Sequence, residues 1–107
     1  MVNNSDYILE YNLNLTKAKE AIINKKNVII CGVARSGKTH IKNKLIQYNL
    51  LNDYEIYYGI EDYQTRNTLN GRFYSNNKFW IEEQNKDFVA NVLDDYEFIE
   101  TNLQYIN

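Results

Sequence analysis

A chain of 107 residues fits one domain, and 44% apolar with 24% charged residues is enough for a modest core. The net charge of −2 argues against a generally basic nucleic-acid binder, so charge gives no support for direct nucleic-acid binding. A single cysteine, Cys31, excludes an internal disulfide, and neither a membrane span nor an apolar leader is apparent, so a soluble, cytoplasmic protein is expected.

Residues 1–6 are mostly polar and expected to fray. Tyr7, Ile8, Leu9 and Tyr11 form an apolar patch of undecided type. From Leu15 to Ile23 the spacing of Leu15, Ala18, Ile22 and Ile23 predicts a helix, with Asn14 or Thr16 as its cap. The turn "NKKN" leads into Val28-Ile29-Ile30-Cys31, a consecutive apolar run of the kind found in strands buried on both faces of a parallel sheet. After a loop at 32–37, Ile41, Leu45 and Ile46 predict a helix from about Lys38 to Tyr48. "YEIYYGI" (54–60), "KFWI" (78–81) and "EFIET" (97–101) are further strand candidates. Residues 63–77 read as turns, from "NG" at 70–71 and "SNN" at 75–77. Asp87 to Asp95 suits a short helix with Phe88, Val89, Val92 and Leu93 as its stripe. The alternation predicts an α/β fold: a single three-layer domain over 1–107 with a small, mostly parallel sheet of about four strands.

Charge is uneven along the chain. Residues 17–44 hold eight bases against Glu20, and residues 82–100 hold seven acids against Lys86. Two solvated faces explain this as well as head-to-tail pairing of copies does. The abundance of Asn, Lys, Ile and Tyr, with no Pro, reads as the coding bias of an AT-rich genome, as in some viruses, mobile elements and bacteria.

Gly32-Val33-Ala34-Arg35-Ser36-Gly37-Lys38-Thr39 fits G-x-x-x-x-G-K-[ST] at every required position. Glycines let the backbone amides turn inward into a nest for phosphate oxygens, and the following helix adds its positive end. Lys38 is expected to reach the β- and γ-phosphates, Thr39 to offer its hydroxyl to Mg²⁺, and His40 to follow at the helix start. An apolar strand leading in and an amphipathic helix leading out are the context this motif requires.

Over residues 27–46 the chain resembles the P-loop NTPases. The resemblance implies ATP or GTP with Mg²⁺ as ligands and a P-loop NTPase-like core. "KFWIEE" is similar to the acidic strand end of the branch with an extra strand and a catalytic glutamate; this implies Glu82 on the metal and Glu83 polarising water. The pair Glu61-Asp62 after "YYGI" is a runner-up. "EFIETN" resembles the sensor strand of AAA+ and viral helicase-like ATPases, which implies Thr101 or Asn102 near the γ-phosphate. Secretion and packaging ATPases are similar at the strand, loop and "GKT". Such proteins imply a homo-oligomer or a larger ATPase machine as partner. Arg66 or Arg72 could act in trans in such an oligomer, though each reads more readily as a surface residue. Because little follows Asn102, a minimal or truncated core is expected. A non-hydrolysing nucleotide-binding module, or a relic, stays open beside a small ATPase; a small nucleotide kinase ranks last.

Overall fold

The computed structural model describes residues 4–33, 36–72, 78–91 and 96–101. Helix α1 (Asn4–Ile23) precedes strand β1 (Val28–Gly32), helix α2 (Lys38–Gln47), strand β2 (Tyr54–Tyr58), helix α3 (Tyr63–Arg72) and strand β3 (Lys78–Glu83). A 3₁₀ turn at Lys86–Asn91 and strand β4 (Glu97–Thr101) follow.

The four strands form one sheet in the order β2-β3-β1-β4, and every pairing is parallel. The α/β expectation and the four strand positions therefore hold. Val28 to Ile30 of β1 and Phe79 to Ile81 of β3 are fully buried, as central parallel strands covered on both faces require. Val28, Ile30, Trp80 and Ile99 pack with Ala18, Ala21 and Ile22 of α1 and Ile41 and Leu45 of α2. Ile29, Cys31, Phe79 and Ile81 pack on the other face with Ile60 and with Leu69 of α3. The period-2 alternation of the strands thus divides one sheet between two helical layers.

Three local expectations are corrected. Helix α1 begins at Asn4, well before Leu15, and takes in residues expected to fray. Tyr7, Tyr11, Leu15, Ala18 and Ile22 recur every three or four residues and make one continuous stripe, while Ile8, Leu9 and Leu13 stay exposed. Residues 63–72 form helix α3 where turns were expected. Asp62 starts it by accepting the Thr65 N–H at 3.0 Å, and buried Leu69 anchors it. The expected helix at 87–95 is a 3₁₀ turn over Lys86–Asn91; Val92 and Leu93 lie outside the described residues.

Asn27, from the "NKKN" turn, is buried and pins the foot of the sheet. Its Oδ1 accepts the Phe79 N–H at 2.9 Å, and its carbonyl accepts the Glu97 N–H at 2.7 Å. It thereby sets the starts of β3 and β4 against β1. At the opposite, carboxyl end, α2 leaves β1 for one face while the turn after β3 packs on the other. Adjacent strands whose connections part in this way leave a crevice between them, the usual ligand position in open α/β sheets.

Candidate functional site

The two ends of the loop leaving β1 are set by small-residue geometry. A Cβ on Gly32 would stand 1.8 Å from Thr101 Oγ1 and 2.6 Å from the Thr101 carbonyl oxygen, so only glycine fits beneath the loop. Gly37 has φ of 100°, a left-handed conformation natural to glycine, and caps α2 by accepting the Ile41 N–H at 3.0 Å. Ser36 is buried and lies 2.5 Å from the Thr101 hydroxyl. Because Thr101 gives its one proton to the Cys31 carbonyl at 3.2 Å, Ser36 is the donor of that contact. Thr101 therefore supports the loop from below.

Lys38, also buried, turns its Nζ into the loop. It donates to the carbonyls of Gly32 and Val33, the latter at 2.8 Å. Burial lowers its pKa, and Glu82 acts in the opposite direction.

A cleft of about 520 Å³ opens beside the start of α2. Gly37, Lys38, Thr39 and His40 form one wall, and Tyr58, Gly59, Glu61, Glu82 and Gln84 the other. A second cleft, about 680 Å³, is larger but lies at the opposite end of the sheet, against Tyr54 and Lys78 at the strand starts. Its described lining includes no glycine loop or helix start, so the cleft at the carboxyl ends is the candidate site.

Glu82 is only 7% exposed, and its Oε1 has no hydrogen-bond partner among the described residues. Burial raises its pKa; Lys42, Lys38, the Thr39 hydroxyl and the nearby Trp80 indole N–H, itself short of a well-aligned hydrogen bond, pull it back. Lys42, which sequence reasoning passed over, is one helical turn beyond Lys38 on α2. It is buried, donates to the Tyr58 hydroxyl at 2.5 Å, and stands 4.4 Å from the centre of that ring. The available signal was a lysine directly beside Ile41 in the apolar stripe of the helix. A lysine there must bury its ammonium or snorkel past its neighbours.

Glu83 lies on the opposite face from Glu82. Its two oxygens accept the Ile60 N–H at 2.6 Å and the Asn85 N–H at 2.7 Å. It is 1% exposed and does not line the cleft. Burial raises its pKa, its two backbone hydrogen bonds lower it, and the neighbouring Glu61 carboxyl raises it again. The structure thus brings Lys38, Thr39 and Glu82 together and leaves Glu83 out, tying the β2 and β3 tips together.

Among the described residues the acid that lines the cleft from that side is Glu61, whose carboxyl also hydrogen-bonds that of Glu83. Its loop is held firmly: Gly59 donates to the Glu82 carbonyl at 2.7 Å, and Arg66 donates to the carbonyls of Ile60 and Glu61, each at 2.7 Å. Arg66 thus braces its own chain. Asp62, the other member of that pair, caps α3. Val33 is exposed on the loop, and His40 is exposed at the cleft. Ala34, Arg35 and Asn102 lie outside the described residues.

Among the described residues no group of three or more His, Cys, Asp or Glu side chains is set to hold a metal. Mg²⁺, however, is usually held by one or two carboxylates completed by phosphate oxygens and water. The Thr39 hydroxyl and the spare oxygen of Glu82 suit that demand. No described helix is long and apolar enough to cross a membrane. Compared with protein-family models, curated proteins and solved structures, the chain matches none.

Proposed function

We propose that the chain binds a nucleoside triphosphate through the loop at residues 32–39, with Mg²⁺ held between Thr39 and Glu82. The observation that carries this reading is the convergence of Lys38, Thr39 and a buried, half-unpartnered Glu82 on one cleft at the start of α2. Lys42, Lys38 and Thr39 compensate that carboxylate only in part, and an oxygen-seeking divalent ion would answer its spare oxygen. The loop amides and the start of α2 suit the phosphate oxygens. Lys38 is in reach of that nest once it exchanges its two carbonyl partners for phosphate. The metal's contribution is to neutralise phosphate charge and polarise the bond to be broken.

For turnover the cleft-lining carboxylate among the described residues is Glu61, which would orient a water from the β2 side. The proposed activity is slow Mg²⁺-dependent hydrolysis by a small ATPase of AAA+ or helicase-like kind, alone, as a homo-oligomer or within a larger assembly. One observation favours a second reading, a nucleotide-binding module without turnover: both oxygens of Glu83, the expected water-polarising residue, are occupied by backbone amides.

Calorimetric titration of MgATP and MgGTP into the wild type and Lys38→Ala, with phosphate release assayed on the same samples, tests the proposal. Binding is expected in the wild type and about 100-fold weaker in the variant, since a charged hydrogen-bond donor is worth ~1.5–3 kcal/mol. Release lost in Glu61→Gln supports the ATPase; binding without release supports the module. A folded wild type that binds neither nucleotide refutes both.

A further inference from the structure

A second hollow adjoins the phosphate cleft. It has a volume of about 260 Å³ and is lined by Tyr7, Ile8 and Tyr11 of α1 and by His40 of α2. His40 lines the cleft as well, so the two cavities share a wall. The Tyr7 hydroxyl lies 2.8 Å from where a Cβ on Gly37 would stand, so this ring abuts the junction of loop and helix. Tyr7 and Tyr11 are half-buried, and Ile8 is 55% exposed.

We infer that this hollow is a nucleobase site, in which Tyr7 and Tyr11 seat the flat ring of the nucleotide whose phosphates the loop takes. The inference rests on the phosphate-binding reading above and adds to it the class of ligand and the residues that hold its other end.

Three features carry it. The described walls are two phenol rings, an aliphatic chain and an imidazole, with no carboxylate, ammonium or guanidinium among the described lining residues. Such walls suit an uncharged, flat, π-faced group. The hollow also adjoins the cleft at the start of α2, across the His40 side chain, so a ligand polyanionic at one end and aromatic at the other spans both. Finally, the hollow is small. A stable protein partner generally needs an interface above ~1,000 Å², whereas a single base needs only a ring-sized recess. The lining phenols and imidazole both donate and accept hydrogen bonds. They therefore give little means to tell adenine from guanine, and stacking area is what selects.

The test is titration of inorganic tripolyphosphate, ATP, GTP and UTP, with Mg²⁺, into the full chain and into Tyr7→Ala and Tyr11→Leu. ATP and GTP are expected to bind alike, at least tenfold tighter than tripolyphosphate, with UTP between. In both variants that advantage is expected to fall to a few-fold or less, while tripolyphosphate affinity stays unchanged and so reports an intact loop. If ATP gains nothing over tripolyphosphate, or keeps its full advantage in both variants, the inference is overturned and the phosphate reading survives. If tripolyphosphate and ATP weaken together in both variants, the tyrosines brace the loop and seat no base. If tripolyphosphate fails to bind the wild type, the phosphate reading falls too.

Discussion

Glu83→Gln separates a structural carboxylate from a catalytic one. In the fold Glu83 is 1% exposed, and its oxygens accept two backbone N–H groups, one from the loop after β2 and one from the turn after β3. Glutamine keeps one acceptor oxygen and turns an NH₂ toward the other N–H, leaving a buried donor facing a donor. A buried group deprived of its partner costs ~1–3 kcal/mol, and the surviving bond loses its charge assistance. Relief from burying a charge beside Glu61 offsets part of this, so a net loss of about 2 kcal/mol is expected. That is a large share of the ~5–15 kcal/mol that holds a domain of this size together. At ~4–8 °C per kcal/mol, the midpoint should fall by about 10 °C. Trp80, the single tryptophan and fully buried, reports unfolding through its emission. The pH dependence is a second signature. The Glu83 pKa is raised above its ordinary 4.5, so its proton stabilises the fold fully below that value. The benefit is lost as pH rises through the folded value. Glutamine has no such proton to gain, so the deficit of the variant should widen between pH 7 and pH 4.5. Nucleotide binding at a temperature where the variant is folded should be unchanged. A variant that melts like the wild type but loses phosphate release would refute this reasoning and return Glu83 to the chemistry.

Two other substitutions probe the loop and the cleft. Gly32→Ala places a methyl 1.8 Å from Thr101 Oγ1 and 2.6 Å from a backbone carbonyl, and the carbonyl cannot swing aside. A loss of about 3 kcal/mol is expected in urea unfolding, at the upper end of ordinary overpacking, together with loss of nucleotide binding; a change below ~0.5 kcal/mol would show that the loop yields freely. Lys42→Met removes the charge that most offsets the burial of Glu82. Metal-free ATP should then bind roughly tenfold more weakly, the effect of ~1.4 kcal/mol, and added Mg²⁺ should restore more affinity than it does in the wild type. Equal loss with and without Mg²⁺ in calorimetry would mean that Lys42 acts on the fold alone.

The elements most legible in the sequence were those whose burial is two-sided or strongly periodic. Val28 to Cys31 could hardly be anything but a central strand, and the spacing of Ile41 and Leu45 implied α2. Helix α3 was hidden because, among its described side chains, Leu69 is the fully buried apolar anchor, and "NG" near its end carries a turn signal that the helix absorbs in its last turn. The first half of α1 was hidden for a different reason. Exposed Ile8, Leu9 and Leu13 blur a stripe whose inward members include Tyr7 and Tyr11. Apolar residues on the wrong face erase periodicity as effectively as missing ones.

Glu82 and Glu83 show the difference between adjacency and proximity. Reading them as one metal-and-water pair assumed that the strand ends before them. Strand β3 runs through Glu83, with Glu82 in register with Ile30 and Glu83 with Cys31. Pleating sends successive side chains to opposite faces, so the two carboxylates must part. One meets Lys38, Lys42 and Thr39; the other meets the amides of Ile60 and Asn85. The assignment of their roles follows from where pairing stops. Had β3 stopped a residue earlier, Glu83 would have been free to turn toward the cleft. Because the ladder continues, Glu83 stays turned from the cleft, and among the described residues Glu61 on its braced loop is the carboxylate that lines it from the neighbouring strand tip.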